Sequence, residues 1–173
     1  MNNGLRSPLG DIVFGYSTWL GEGFVLYPLC LILAFIFDRK NFKRTAILIT
    51  FALIMGGLLN AGLKEYFQRL RPLGKFEGWK ESGYWHPGPH ENYTVMFHPF
   101  MYNSFPSGHC AGSFSAIMLF SLLYRRLTPL LFLIGFIIMI SRVYVGAHFP
   151  LDTVGGAFVG IVSAYTVHKL FLL

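Results

Sequence analysis

Five predominantly apolar runs of membrane length divide the chain, separated by more polar segments. They cover about residues 19–37, 45–63, 107–124, 129–144 and 151–172. A helix needs about 20 apolar residues to cross a hydrocarbon core about 30 Å thick, so each run predicts a transmembrane helix. The stretch 5–17 is too short to cross by itself and contains Pro8, Asp11 and Gly15. It predicts an interfacial helix or a shortened sixth span.

The composition supports this interpretation and excludes several classes of protein. Of the 173 residues, 54% are hydrophobic and 13% are charged, with a mean hydropathy of +0.52. Soluble domains carry about 25% charged residues, and disordered chains and coiled coils carry more polar sequence still. We therefore expect an all-α membrane protein. It should be a bundle of five to six transmembrane helices that forms a single membrane-embedded domain over residues 1–173.

The positions of the basic residues predict the orientation. Residues 38–45 contain four bases, and Arg125-Arg126 separates the third and fourth runs. Basic loops favour the cytoplasmic side, so the segment 64–105, the loop around His148 and the start of the last helix are expected to be exoplasmic. The net charge of +6 could suggest nucleic acid, but half of the bases cluster at helix ends. We expect a lipid bilayer as the partner and no nucleic acid.

Two further patterns concern packing and thiol chemistry. Gly156 and Gly160 form a G-x-x-x-G spacing in the last run, which is typical of helices that pack closely in membranes. Cys30 lies mid-span and Cys110 lies near a helix start, so the sequence predicts two buried thiols rather than a disulfide.

The exoplasmic segment 73–105 is rich in aromatic residues, which suits the headgroup layer of a membrane. The same segment contains His86, His90 and Glu91, a set that could hold zinc. Pro87 and Pro89 oppose a helical turn there, so a metal site is the less favoured interpretation.

Three polar clusters fall on the predicted exoplasmic side. Lys64 and Arg71 are seven residues apart, two helical turns, and are either ligands for an anion or bases that extend to the interface. Ser107 and Gly108 open the third run, where backbone N–H groups at a helix start favour an anion; helix capping is the alternative. His109 follows them and can donate a proton.

The third cluster contains Arg142, His148 and Asp152. Pro150 suits the first turn of the last helix, which brings Asp152 within reach of His148. A carboxylate that accepts the Nδ1 proton of a histidine leaves Nε2 as a free nucleophile, whereas the alternative is an ion pair that only joins two helices. Together the three clusters supply cations, N–H donors and two imidazoles, the set that phosphoryl transfer needs.

The spacing of these residues resembles a known family. Lys64–Pro72 fits K-x6-RP, Pro106–His109 fits PSGH, and Ser141–Asp152 fits SR-x5-H-x3-D. The chain is similar to the type 2 phosphatidic acid phosphatases (PAP2), integral-membrane lipid phosphatases related to vanadium haloperoxidases. The similarity extends from Lys64 to Asp152 and includes every motif position.

The resemblance implies a role for each of these residues and catalysis without a metal or other cofactor. His148 would form a phosphohistidine, Asp152 would orient it, and His109 would be the general acid. The residues that would bind the phosphoryl oxygens are Lys64, Arg71, Ser107, Gly108 and Arg142.

We therefore expect a lipid phosphatase of bacterial type, in the inner membrane with its site facing the periplasm or exterior. The substrate would be a phosphorylated membrane lipid: lipid A 1-phosphate, undecaprenyl diphosphate or phosphatidylglycerol phosphate. Lipid A 1-phosphate is preferred because the aromatic segment 73–105 could border a bulky disaccharide headgroup. A catalytically silent lipid-binding protein is the alternative from a different class, and the sequence leaves the oligomeric state open.

Overall fold

The computed structural model describes residues 7–71 and 103–171, and these residues form six α-helices. Most of the aromatic segment 73–105, with His86, His90 and Glu91, lies outside them. Three short 3₁₀ turns, Thr18–Gly21, Arg39–Asn41 and Arg125–Leu127, join or precede the helices. The helices are α1 (Pro8–Ser17), α2 (Gly23–Phe37), α3 (Phe42–Phe67), α4 (Gly108–Leu123), α5 (Thr128–Tyr144) and α6 (Pro150–Leu170).

Each of the five predicted apolar runs corresponds to one of the helices α2 to α6, so the all-helical membrane fold is confirmed. By length and composition, three helices of the described residues can cross a membrane: α3 and α5, each with its preceding 3₁₀ turn, and α6. The segments Pro8–Gly21 and Gly23–Phe37 meet at 74° and together make a fourth candidate. Helix α4 is apolar but has only 16 residues.

Helices α2 to α6 alternate in direction, which gives the bundle two distinct ends. We call the end where α3 and α5 finish and α4 and α6 begin the site end. At the opposite end, the Asp38 side chain accepts a hydrogen bond of 2.9 Å from Thr45 at the start of α3. The basic residues of 39–44 and the Arg125-Arg126 pair lie at this opposite end.

Helix α1 lies across the site end instead of running the length of the bundle. The Tyr144 hydroxyl at the end of α5 donates to the Asp11 carboxylate at 2.8 Å and accepts from the Ser7 N–H at 3.2 Å. Ten residues further along, Gly21 packs against the His109 ring. Both ends of the segment 7–21 therefore contact the same end of the bundle.

Helix α4 lies in the interior of the bundle and packs most closely against α6. A Cβ atom added to Gly156 would collide with the Ser107 carbonyl oxygen and approach Cys110 Cβ to 2.9 Å. A Cβ atom at Gly160 would collide with the Ala111 carbonyl oxygen. The predicted close packing at these glycines is confirmed, and it brings the beginnings of α4 and α6 together. Cys30 and Cys110 are both buried free thiols, as predicted.

Candidate active site

The three sequence motifs converge at the site end. Lys64 lies in the last turn of α3, and the cap residue Gln68 that follows the helix is in the left-handed conformation (φ 39°). The left-handed residue turns the chain, and Arg69 then accepts a hydrogen bond of 2.8 Å at its carbonyl from the Ser104 N–H. This bond joins the first motif to the segment before α4.

His148 lies in the loop between α5 and α6, with a side chain only 2% exposed. Its Nδ1 atom is 2.7 Å from the Ser104 carbonyl oxygen and 3.8 Å from Asp152 Oδ2. A carbonyl can only accept, so Nδ1 carries the proton and Nε2 has a free lone pair. Burial lowers the pKa of His148 to about 3, and the nearby positive charges of Arg142, Arg71 and Lys64 act in the same direction. The imidazole is therefore neutral at neutral pH.

Asp152 is completely buried at the start of α6 and binds groups from three segments. Its Oδ1 atom accepts from Arg69 at 2.7 Å, and its Oδ2 atom accepts from the Ser104 hydroxyl at 2.5 Å and the Phe149 N–H at 2.9 Å. The sequence predicted direct acceptance of the His148 proton by Asp152. The structure places the Ser104 carbonyl closer to Nδ1, while Asp152 binds the Ser104 hydroxyl and also lies 3.8 Å from His148 Nδ1.

The predicted phosphate-binding cations all lie at this end. Lys64 Nζ donates to the Asn103 carbonyl oxygen at 2.5 Å, and Arg142, which is 5% exposed, donates to Thr18 Oγ1 at 2.5 Å. Arg71 is partly buried after the end of α3. All three are near enough for their charges to act on His148. Their charges can therefore stabilise an anion bound at its Nε2 atom.

The start of α4 provides donors for the same anion. The first N–H groups of a helix have no partner within the helix, and those of Gly108 and His109 occupy these positions. The Ser107 N–H is already used, since it donates to the Asp152 carbonyl oxygen at 2.9 Å. Ser107 instead offers a fully buried hydroxyl, which has no hydrogen-bond partner among the residues that the structure describes.

His109 lies beside these donors, and its Nε2 atom is 2.7 Å from Glu22 Oε1 at the junction of α1 and α2. A cavity of about 650 Å³ begins at these two side chains and extends between α2, α3 and α4. Its other walls are mostly apolar and include Leu26, Leu53 and Ile54. A polar head at His109 could therefore continue into an apolar chain.

Three side chains of the site were missed by the sequence interpretation: Arg69, Ser104 and Glu22. Arg69 lies inside the K-x6-RP pattern, and Ser104 directly precedes Phe105 and the PSGH motif. Glu22 is the one acidic residue between Ile12 and Phe37, and a lone carboxylate in an apolar run is a signal of function. Within residues 7–71 and 103–171, no group of three His, Cys, Asp or Glu side chains could hold a metal ion.

Comparison with curated proteins identifies relatives with named activities. The bacitracin transport permease protein BcrC of Bacillus licheniformis is 35% identical over 95 residues, which are 55% of this chain and 47% of that protein. Phosphatidylglycerophosphatase B of Bacillus subtilis is 27% identical over 176 residues, covering 94% of this chain and 76% of the relative. Lipid A 1-phosphatase of Porphyromonas gingivalis is 34% identical over 112 residues, which cover 62% of this chain and 19% of that protein. The match thus spans about half the length of BcrC.

Solved structures show the same architecture. Aquifex aeolicus LpxE superimposes with a TM-score of 0.71 at 31% identity, over 96% of this chain and 90% of that one. The PAP2-type phosphatidylglycerolphosphate phosphatase of Bacillus subtilis gives a TM-score of 0.69 at 26% identity, over 96% and 78%. The family pattern of the PAP2 superfamily matches residues 45–172, which include all three motifs. The chain therefore belongs to the PAP2 superfamily, as an all-helical integral membrane protein.

Proposed function

We propose that the protein is a lipid phosphatase that acts through a phosphohistidine on His148. The observation that carries this proposal is the environment of that histidine. Its Nδ1 proton is held by the Ser104 carbonyl at 2.7 Å, which leaves Nε2 as the free nitrogen, and the charges of Lys64, Arg71 and Arg142 are near enough to act on the ring. A nucleophile with a fixed tautomer beside an anion-binding site is what in-line attack on phosphorus requires.

In the first step, Nε2 of His148 attacks the phosphorus atom and the bond from phosphorus to the lipid oxygen breaks. His109 donates a proton to that oxygen, and the dephosphorylated lipid leaves. Lys64, Arg71 and Arg142, with the Ser107 hydroxyl and the Gly108 N–H, bind the phosphoryl oxygens as their charge develops.

In the second step, water attacks the phosphorus of the phosphohistidine, and His109 takes up a proton from that water. The bond between phosphorus and Nε2 breaks, inorganic phosphate leaves, and both histidines return to their starting state. Asp152 holds Ser104, and through it His148, in place during both steps.

The cavity between α2, α3 and α4 supports a lipid as the substrate. It begins at Glu22, Gly108 and His109 and continues along apolar side chains of α2 and α3. The proton donor therefore lies on the side where an apolar leaving group would be bound. The family membership and the named lipid phosphatases among the relatives agree with this assignment.

Among lipids, we favour lipid A 1-phosphate, with phosphatidylglycerol phosphate and undecaprenyl diphosphate as alternatives. A lipid A 1-phosphatase is among the relatives, and the aromatic segment 73–105 suits a large headgroup. Phosphatidylglycerol phosphate is the second candidate because a curated relative and a solved structure, both from Bacillus subtilis, are named for it. The basic residues at the end opposite the site favour a site that faces the periplasm or exterior of the inner membrane.

The test is phosphate release from the three lipids in detergent by the wild type, His148→Ala and His168→Ala. His168 lies in the last turn of α6 at the opposite end and serves as a matched control. We expect His148→Ala to abolish turnover and His168→Ala to retain it. Full activity of a well-folded His148→Ala variant would refute the phosphohistidine. A wild type that binds the lipids but releases no phosphate would favour a silent lipid-binding protein.

A further inference from the structure

The contact between Glu22 and His109 joins the predicted general acid to a part of the chain outside the family motifs. Glu22 Oε1 is 2.7 Å from His109 Nε2, and the two side chains are 40% and 18% exposed. The PAP2 pattern begins at residue 45, so Glu22 lies before it.

The backbone holds Glu22 firmly in this position. Glu22 is the N-terminal cap residue of α2, and its carbonyl accepts from Val25 at 3.0 Å and Leu26 at 2.7 Å. Its carboxylate makes no capping bond with α2 and reaches His109 instead. The preceding Gly21 packs against the same ring, since a Cβ atom there would lie 3.0 Å from His109 Cβ and Cδ2. Two consecutive residues therefore contact the imidazole: Gly21 packs against its carbon atoms, and Glu22 lies beside Nε2.

The surrounding charges explain what the carboxylate can do for His109. Burial of the imidazole, together with the positive charges of Arg142 on α5 and Arg71 after α3, lowers the pKa of His109, and the Glu22 carboxylate acts in the opposite direction. An opposite charge at this distance favours the charged form of a titratable group. A general acid must hold a proton before the reaction, so His109 needs this counter-charge.

We infer that Glu22 is the positioning residue for His109: its carboxylate holds the Nε2 side of the imidazole and favours the protonated ring, so that Nδ1 can carry the proton for the leaving oxygen. In the step that this implies, the Nδ1 proton of the imidazolium passes to the lipid oxygen as the bond to phosphorus breaks. The neutral imidazole retains the proton on Nε2, the nitrogen that lies 2.7 Å from Glu22 Oε1. The inference rests on the proposed function of His109.

The first experiment compares Glu22→Gln with the wild type on benzyl phosphate and p-nitrophenyl phosphate. The two substrates are similar in size, but an alkoxide needs a proton in order to leave, whereas p-nitrophenolate does not. We expect Glu22→Gln to lower kcat/KM for benzyl phosphate by about tenfold or more and to change that for p-nitrophenyl phosphate much less. The alkaline limb of the kcat/KM profile should also move to lower pH by about one unit.

Glu65→Gln is the matched control, because Glu65 is exposed in the last turn of α3 at the same end of the bundle. It should behave as the wild type in both assays. Equal losses of Glu22→Gln on the two substrates, or an unmoved alkaline limb, would overturn the positioning role and leave Glu22 a structural residue.

The second experiment places Glu22→Gln in a His109→Ala background and measures phosphate release from the lipid substrate. If Glu22 acts through His109, the activity of the double variant should be within about twofold of that of His109→Ala, because the effects of substitutions at two contacting residues are not additive. A further tenfold loss would contradict the inference. If His109→Ala loses activity equally on benzyl phosphate and p-nitrophenyl phosphate, the role of His109 as general acid is refuted. If the wild type is inactive on all three lipids, the proposed lipid phosphatase activity is refuted.

Discussion

At the scale of single residues, Ser104 connects the nucleophile with the buried carboxylate. Its carbonyl accepts from His148 Nδ1 at 2.7 Å, and its hydroxyl donates to Asp152 Oδ2 at 2.5 Å. The same residue thus sets the tautomer of the imidazole with its backbone and satisfies Asp152 with its side chain. Arg69 completes the arrangement, because it pairs with the other carboxylate oxygen and lies over the Phe149 ring at 4.4 Å.

Ser104 contacts His148 through its backbone carbonyl and Asp152 through its hydroxyl, so Ser104→Ala should remove the second contact and keep the first. The variant keeps the carbonyl and loses the hydroxyl, so we expect kcat to fall by about tenfold, the equivalent of about 1.4 kcal/mol. Asp152→Asn should cost more, since it removes the charge that faces Arg69. Turnover and thermal unfolding in detergent measure both effects. Ser121→Ala, another buried serine of the bundle, should leave kcat unchanged. Wild-type kcat in Ser104→Ala would contradict the proposed link.

His148 also predicts how stability depends on pH. Its pKa is about 3 in the folded protein, and an unfolded histidine has a pKa of about 6.5. The unfolded chain therefore binds more protons between these values, so stability is full above about pH 6.5 and falls as the pH decreases. From pH 7 to pH 5 this group should cost about 1–2 kcal/mol.

Thermal unfolding at the two pH values measures this loss, with His148→Asn as the comparison. The variant should lose less stability than the wild type on acidification. Identical losses in the two proteins would show that His148 does not titrate on unfolding.

At the scale of helices, the approach of α4 to α6 sets the geometry of the site. Gly156 and Gly160 let α6 lie directly against the α4 backbone, and the Ser107 N–H at the start of α4 donates to the Asp152 carbonyl at 2.9 Å. Phe105 packs at the same junction, because a Cβ atom at Gly155 would lie 2.5 Å from its ring. A displacement of α6 would therefore move Asp152 away from the donors at the start of α4.

Gly156→Ala should accordingly lower both stability and activity. The added methyl group collides with the Ser107 carbonyl, and overpacking of this kind costs about 1–3 kcal/mol. Gly57→Ala is the control, since a Cβ atom there meets nothing within 4 Å, and it should leave the unfolding temperature unchanged or raise it. The unfolding temperature and kcat of both variants test this. Equal unfolding temperatures and equal kcat values for the two variants would mean that the close approach of α6 to α4 at Gly156 contributes neither to stability nor to activity.

At the scale of the whole molecule, the bundle presents an apolar surface and one polar end. Large hydrophobic side chains such as Phe24, Leu58 and Phe158 are exposed on the outside, as expected for contact with lipid tails. The polar side chains of the site lie at the site end, where the cavity of about 650 Å³ opens between α2, α3 and α4. This arrangement suits a substrate whose head enters the site while its chain stays in the membrane.

Ile54→Trp tests whether the cavity binds the lipid chain. Ile54 lines the cavity on α3, and a larger side chain should fill part of it. We expect KM for the lipid substrate to rise by roughly tenfold, while kcat/KM for p-nitrophenyl phosphate stays near the wild-type value. Leu58→Trp, one turn further along α3 and outside the cavity lining, is the control. A similar change of KM in both variants would contradict a chain site in this cavity.

Local properties of the sequence determined the helices, the membrane class and the residues that carry the motifs. The length of an apolar run and the positions of Pro150, Gly156 and Gly160 act within one helix or between neighbouring helices, so they can be predicted from the sequence. The converging motifs also identified His109, His148 and Asp152 as residues of one site. Their catalytic roles, and the substrate, stay predictions until the variants are measured.

Only the tertiary structure decided which groups meet within the site. Ser104 and Asp152 are 48 positions apart, Arg69 and Asp152 are 83 apart, and Thr18 and Arg142 are 124 apart. Such pairs form because helices of alternating direction bring distant segments to the same end of the bundle, and periodicity along the chain contains no information about that meeting. For the same reason, the position of α1 across the site end and the contact of Glu22 with His109 could be seen only in the folded molecule.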